Sequence, residues 1–172
     1  MVLPRIALFA ALLALTGCAP PSFKDAAAIP ATVPIAATLS FSDWTWSDVH
    51  TVDAEYSLSP ADARRIQAQG PAAFGGDHKP RNQAVDTNWN GWTTVTRAVN
   101  GRGAENINGP QTIALMTEEH CNPHFSPDIP DASLFCAALA RPDTIVTWGG
   151  RMREFALVDA PDARVFLVYQ RD

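Results

Sequence analysis

Residues 144–170 read TIVTWGGRMREFALVDAPDARVFLVYQ and form the most regular part of the chain. Gly149-Gly150 separates two β-rich segments, which predicts a hairpin, and DAPDA at 159–163 predicts the next turn. The last segment, RVFLVYQ, is continuously apolar from Val165 to Tyr169. A short apolar run of this kind indicates a central strand that is covered on both faces.

Two segments nearer the N-terminus carry local structure signals. Residues 41–58, FSDWTWSDVHTVDAEYSL, alternate well enough to predict one strand or more. Residues 58–70, LSPADARRIQAQG, predict a helix. Ser59 is suited to the N-cap, Pro60 to the first helical position, Asp62 to the first turn, and Gly70 to the position just past the end.

The middle of the chain is less regular. In NWNGWTTVTRAVNG at 88–101, Asn90-Gly91 predicts a two-residue hairpin turn with Trp89 and Trp92 facing each other. The β-branched run that follows predicts a strand. PQTIALMT at 110–117 fits a strand or the start of a helix, and LFCAALA at 134–140 favours a strand. Together these elements predict a β-rich α+β fold with a largely antiparallel sheet and one or two short helices.

The charge balance restricts the partners of the protein. The chain has 13 Lys and Arg against 18 Asp and Glu, a formal net charge of −5. Non-specific nucleic-acid binding relies on clustered basic residues, so nucleic acid is not an expected partner.

The first eighteen residues, MVLPRIALFAALLALTGC, combine one charge at Arg5, an apolar run from Ile6 to Leu15, small residues and Cys18. In this order they resemble the lipobox leader of bacterial lipoproteins. The resemblance implies that residues 1–17 are removed, that Cys18 is acylated, and that Ala19 favours the outer membrane, facing the periplasm. The alternative is an ordinary secretory leader with an incidental cysteine.

The segment that follows the anchor is rich in Ala and Pro. Residues 18–40 include APPSFKDAAAIPATVPIAATLS, in which repeated Pro prevents a long helix. We interpret this segment as a tether, followed by a single globular periplasmic domain at 41–172. The expected partners are the membrane, through the lipid anchor, and an envelope protein or glycan.

Two cysteines remain, Cys121 and Cys136. An exported chain meets an oxidising compartment, where two remaining cysteines are expected to form a disulfide. The bond would close a loop of about 15 residues, worth ~3 kcal/mol in the chain-entropy model. The alternative is a pair of thiols in a metal or redox site.

Three groups of residues could carry chemistry. TEEHCNPHF at 117–125 contains His120 and His124 beside carboxylates, a ligand set that suits zinc, although Pro123 argues against one continuous helix. The competing interpretation is a polar loop beside the disulfide. The second group is the predicted exposed loop GGDHKPRN, in which His78, Lys79 and Arg81 could meet an anion. The third is the tryptophans, of which Trp89 and Trp92 could stack on sugars. Solvation of the loop and packing of the tryptophans are the alternatives.

No GxSxG nucleophile elbow occurs, and no residue is predicted to be catalytic. No cofactor is expected. The sequence therefore favours a membrane-anchored, non-catalytic binding or assembly module. The alternative is a cell-envelope hydrolase or a metal-binding protein that uses the His120 and His124 region.

Overall fold

The computed structural model describes residues 28–46, 49–76, 78–82, 87–101, 108–122, 131–150 and 153–171. The predicted leader, the predicted lipidation site Cys18, the first part of the predicted tether and His124 lie outside the described residues. Within these ranges, no helix is both long and apolar enough to cross a bilayer.

The described residues form a β-rich α+β fold around one antiparallel sheet, as predicted. The sheet has six strands in the order β1-β2-β6-β5-β4-β3. Their bounds are β1 Ala37–Trp46, β2 Val49–Ser57, β3 Thr93–Thr94, β4 Ile145–Trp148, β5 Glu154–Asp159 and β6 Arg164–Arg171.

The C-terminal meander of β4, β5 and β6 confirms the interpretation of residues 144–170. β6 lies between β2 and β5, and Val165 to Tyr169 are buried. Gly149 is also buried, and a Cβ on it would overlap the Glu154 carboxylate, so this position of the hairpin requires glycine.

Helices are more numerous than predicted. The described residues hold four α-helices, α1 Pro60–Gln69, α2 Val95–Asn100, α3 Gly109–Cys121 and α4 Ala132–Leu139, and a 3₁₀ turn at Gly70–Phe74. α1 is confirmed with its cap, because Ser59 Oγ accepts from the Asp62 backbone N–H at 3.1 Å.

The strand predicted at 134–140 is wrong, because these residues belong to α4, and the ambiguous segment 110–117 belongs to α3. Both segments bury residues at helical spacing. In α4 these are Phe135, Ala138 and Leu139, and in α3 they include Ile113 and Met116. Spacings of three and four place such residues on one helix face, which packs on the sheet.

The hairpin predicted around Asn90-Gly91 is also wrong. Trp89 forms an antiparallel bridge with Gly149, and the Asn90 N–H donates to the Trp148 carbonyl at 2.8 Å. This segment therefore pairs with β4 rather than with itself. Only the two residues of β3 are extended after it, because Thr94 caps α2 by accepting from the Arg97 N–H at 3.3 Å.

The sheet carries a hydrophobic cluster on each face, since successive strand residues point in opposite directions. Helices α2, α3 and α4 contribute to one cluster, and we call this the helical face. Its buried members are Val95, Ala98, Ile113, Met116, Phe135, Ala138, Leu139, Val146, Trp148, Phe155, Leu157, Phe166 and Val168.

The opposite face is covered by α1, the 3₁₀ turn and the segment 28–36, and we call it the mixed face. Its buried members are Ala28, Ile29, Val33, Val52, Ala54, Tyr56, Leu58, Ala63, Ile66, Phe74, Trp89, Ile145, Ala156, Val158, Ala160, Val165, Leu167 and Tyr169.

Part of the predicted tether, from residue 28 on, packs on the sheet. Ile29 and Val33, which the sequence assigns to the tether, are fully buried in the mixed-face cluster. The Ala31 N–H donates to the Lys79 carbonyl, and the Arg81 N–H donates to the Ile29 carbonyl, both at 2.9 Å. Burial and backbone pairing therefore fix a segment whose composition is typical of a linker.

Cys121 and Cys136 form the predicted disulfide, with Cα atoms 5.5 Å apart. The bond joins the last residue of α3 to the middle of α4. It therefore fixes two helices of the helical face to each other across the long connection between them.

Candidate functional site

A cleft of about 380 Å³ opens on the mixed face. It lies where the end of α1 and the 3₁₀ turn meet β3, β4 and the β5–β6 turn. The lining residues are Ile66, Gln67, Gly70, Pro71, Thr94, Asp143, Thr144, Ile145, Val158, Ala160 and Pro161.

The cleft has an apolar floor and a sparse polar rim. Ile66, Ile145 and Val158 are buried and belong to the core of the mixed face. Gln67 on α1 and Asp143 before β4 are exposed at the rim. Among the described residues of the lining, Asp143 is the one that carries a charge. Ligand sites commonly combine a mostly apolar lining with a few polar groups that orient the ligand.

The hydroxyl of Thr144 is already used within the protein, because it donates to the Ala138 carbonyl at 2.6 Å. The Thr94 hydroxyl serves as the cap of α2. Among the lining side chains, the exposed amide of Gln67 and the carboxylate of Asp143 are therefore the groups best placed to meet a ligand.

Arg141 connects two walls of the cleft. It precedes the lining residues Asp143 and Thr144, and its guanidinium contacts Asp159 and Asp162 at the β5–β6 turn. The contact to Asp162 is 3.1 Å. Since this turn includes Ala160 and Pro161, which also line the cleft, these ion pairs hold the two walls at a fixed separation.

The buried carboxyl of Asp159 is electrostatically unusual. Its side chain is only 2% exposed, and burial raises its pKa to about 6 from an ordinary value of 3.8, although Arg141 opposes the rise. A hydrogen bond with Asp162 adds to the increase. The Arg141 contact and that hydrogen bond lower the pKa of Asp162, so Asp159 is the member of the pair that protonates first.

A second ion pair lies beside this cluster. Arg164 is opposite Asp159 in the β5–β6 register, and its guanidinium contacts the buried carboxylate of Glu55 on β2. By strand alternation, Asp159 and Arg164 point toward the helical face. A charged edge therefore borders the apolar cluster of that face, where the buried carboxylates of Asp159 and Glu55 each contact an arginine.

Trp89 and Arg81, two of the predicted ligand-binding residues, hold the N-terminal segment in place. The Trp89 indole is buried and donates from Nε1 to the Ala28 carbonyl at 3.0 Å. The Arg81 guanidinium donates to the Val33 carbonyl, and burial lowers the pKa of Arg81. Both residues therefore have structural contacts that explain their positions.

Trp92 and His78 lie in the same region but are less constrained. Trp92 stacks on Phe74 with ring centroids 4.3 Å apart. In the described ranges, the buried Nε1 of Trp92 and the buried Nδ1 of His78 have no hydrogen-bond partner. The loop predicted to be exposed is partly packed, since Phe74 and Pro80 are buried. The structure thus gathers all four predicted residues around the mixed face, outside the lining of the cleft.

His120, a candidate metal ligand, lies near the end of α3 with its ring edge-on to Phe135 at a centroid distance of 5.9 Å. Among the described residues, no group of three or more His, Cys, Asp or Glu side chains is arranged to hold a metal ion. The proposed partner of His120, His124, lies outside these residues.

Sequence reasoning missed the cleft, because its lining comes from α1, the 3₁₀ turn, β3, β4 and the β5–β6 turn. RPDT at 141–144 and DAPD at 159–162 each combine charge with Pro and indicate turns. No local sequence pattern indicates that Arg141 joins these two turns.

No family model, no curated protein and no solved structure matches this chain.

Proposed function

We propose that this protein is a lipid-anchored, non-catalytic binding module of the bacterial cell envelope, held at the outer membrane and facing the periplasm. The leader that ends at Cys18 supports the address, and the disulfide fits an oxidising compartment. The cleft on the mixed face is the observation that carries the binding role.

The chemistry of the cleft defines its ligand. A floor of Ile66, Ile145 and Val158 suits an apolar body, and the volume of about 380 Å³ suits a small molecule. Asp143 is the charged residue in the described part of the lining, so it favours a ligand with a cationic group. We therefore propose a small amphipathic amine as the ligand class.

The address is tested with the substitution Cys18→Ser. We expect it to abolish acyl labelling and to remove the protein from the detergent-soluble membrane fraction, because a diacylated cysteine supplies the stable anchor. A variant that stays in the membrane fraction with its label unchanged would contradict the lipid anchor.

The binding role is tested on the purified lipidated protein in a mild detergent. The probes are 3-phenylpropylamine, 3-phenylpropanol and 3-phenylpropionate, which share one apolar body and differ in charge. We expect the amine to bind most tightly in calorimetry, and Asp143→Asn to remove its advantage over the alcohol.

Two substitutions on α1 make a matched pair for the same experiment. Gln67 lines the cleft, whereas Gln69 is exposed on the same helix outside the lining. Gln67→Trp should fill the cleft and abolish amine binding, and Gln69→Trp should leave it unchanged. Equal binding by all three probes, or equal loss in both variants, would overturn the cleft as the binding site.

A further inference from the structure

The two edges of the sheet differ in length. The edge strand β3 has only two residues, Thr93–Thr94, and leads directly into α2. The other edge strand, β1, spans ten residues, Ala37–Trp46, and pairs on one side with β2. In the described part of the chain, β1 has no second strand partner.

The sequence of β1 lacks most features that protect an edge strand. Natural edges carry Lys or Pro, are very short, or are interrupted by bulges. β1 reads ATLSFSDWTW, with Asp43 as its one charge, and its register shifts only between Thr38 and Ser40. Of the three large hydrophobic side chains exposed in the described residues, two are on β1, Leu39 at 46% and Phe41 at 37%.

An open strand edge is satisfied by another extended strand, because its N–H and C=O groups lie in a row with the spacing of a β-ladder. We infer that β1 is a homodimer interface, where it pairs antiparallel with β1 of a second copy. A two-fold axis perpendicular to the sheet relates the copies, so the two six-stranded sheets become continuous.

A second copy of this chain is favoured as the partner of β1 because the resulting assembly is a closed dimer. β3 is too short to extend the sheet further, so pairing through β1 ends at two copies instead of growing into a fibre. An antiparallel pair about a two-fold axis is also self-complementary, since each strand presents the same groups to the other.

Charge is compatible with this pairing. Asp43 lies toward the C-terminal half of β1, so a two-fold axis near Phe41 or Ser42 sets it opposite uncharged residues of the other copy. Like charges placed directly opposite would destabilise the pair. A perpendicular axis also keeps each face of the sheet on its own side, so the helices of one copy do not meet the mixed face of the other.

The interface is tested by cross-linking in cells that co-express two differently tagged copies of the full chain. Ser42→Cys places a thiol near the proposed axis, where opposite Cβ atoms of an antiparallel pair are about 4.5–5.5 Å apart. We expect a short bis-maleimide to join the two tags. Val99→Cys is the control, because Val99 is 43% exposed on α2 and far from β1 in sequence.

Added charge tests the same edge. In the Ser42→Cys background, Leu39→Lys with Phe41→Lys should lower the mixed-tag product at least tenfold, while Val99→Lys should not change it. Correct folding of each variant is checked by its melting temperature and by the Cys121–Cys136 disulfide. The inference is overturned if the purified chain is a monomer at tens of micromolar, or if residue 42 cross-links equally well after the lysine changes. It is also overturned if residue 42 joins only to other proteins.

Discussion

The helical face and the mixed face of the sheet are covered in different ways. Three helices close the helical face, where Phe135 contacts the rings of Phe155 and Phe166 edge-on, and a disulfide joins two of these helices. The mixed face is covered by one helix, a 3₁₀ turn and an irregular N-terminal segment, held by hydrogen bonds from Trp89 and Arg81.

The two faces differ in the elements that cover them. Regular helices bring interlocking aromatic rings onto one face and leave it closely packed. One helix, a 3₁₀ turn and an irregular segment cover the other face, and the cleft lies where α1 and the 3₁₀ turn meet the sheet edge. We therefore expect substitutions on the helical face to cause the largest losses of stability. We expect substitutions on the mixed face to weaken the proposed ligand binding.

Removing one aromatic ring from each face compares how much the packing of the two faces contributes to stability. Phe135→Ala should lower the free energy of unfolding by about 3–5 kcal/mol, as large-to-small changes of buried Phe do. Phe135 is fully buried between rings of two strands. Phe74→Ala should cost less, because Trp92, its half-buried stacking partner, can move into the space. Urea titrations measure both, and a larger loss for Phe74→Ala would reverse the comparison.

Removal of the disulfide tests the connection between α3 and α4. The double change Cys121→Ala with Cys136→Ala should destabilise the protein by about 3 kcal/mol, because the unfolded chain gains the entropy of an open loop. Thermal unfolding with and without a reducing agent provides the same comparison in the unmodified chain. A melting temperature that does not respond to reduction would show that the helical face does not depend on the bond.

The charged edge of the helical face predicts a pH dependence. The folded pKa of Asp159, about 6, exceeds its ordinary value of 3.8, so folding favours the protonated carboxyl. The stabilisation of the folded state by the protonated Asp159 carboxyl is complete below pH 3.8 and is lost as the pH rises through about 6. The unfolding free energy should therefore fall between pH 4 and pH 7, by at most about 1.4 kcal/mol per pH unit from this proton.

Asp159→Asn should remove that slope, because the amide does not titrate. Asp143→Asn, a change at an exposed carboxyl of the adjoining loop, is the control and should keep it. The pKa of Asp162 is lowered, so its own contribution is lost only as the pH falls below about 4, outside this window. Unfolding curves across the range measure both variants, and an unchanged slope in Asp159→Asn would refute the assignment.

The smallest loss of stability is expected where the N-terminal segment is attached to the mixed face. Trp89→Phe keeps most of the buried ring and removes the hydrogen bond to the Ala28 carbonyl. We expect a loss of about 1 kcal/mol, the usual net value of one such bond with some loss of packing. Limited proteolysis near residue 28 should accelerate more than global unfolding. Equal acceleration of both would indicate that the segment is not held separately.

Local signals account for the parts of the fold that the sequence predicts. The strand β6, with its apolar run from Val165 to Tyr169, and the capped helix α1 are specified by residues within or next to each element. LFCAALA is apolar on every side, so its period does not distinguish a strand from a helix, and only packing on the sheet decides.

Long-range contacts decide the rest. The segment around Ile29 and Val33 has the composition of a linker, and its burial depends on pairing with residues 79–81. Asn90-Gly91 has a strong turn signal, yet the segment pairs with β4 instead. The cleft follows from the meeting of five elements, so its rim residues Gln67 and Asp143 carry no signal in the sequence.

Photo-cross-linking in living cells tests the proposal that the mixed-face cleft binds a ligand in the envelope. An aliphatic diazirine amino acid, close to glutamine in size so that it leaves the cleft open, replaces Gln67 in one strain and Gln69 in the other, and the intact masses of the purified chains are compared after irradiation. We predict a discrete small-molecule adduct at residue 67 that is absent at residue 69 and that is lost with Asp143→Asn. The same adduct at both positions, or none at residue 67 in a folded and anchored protein, would show that the cleft is not a ligand-binding site in the envelope.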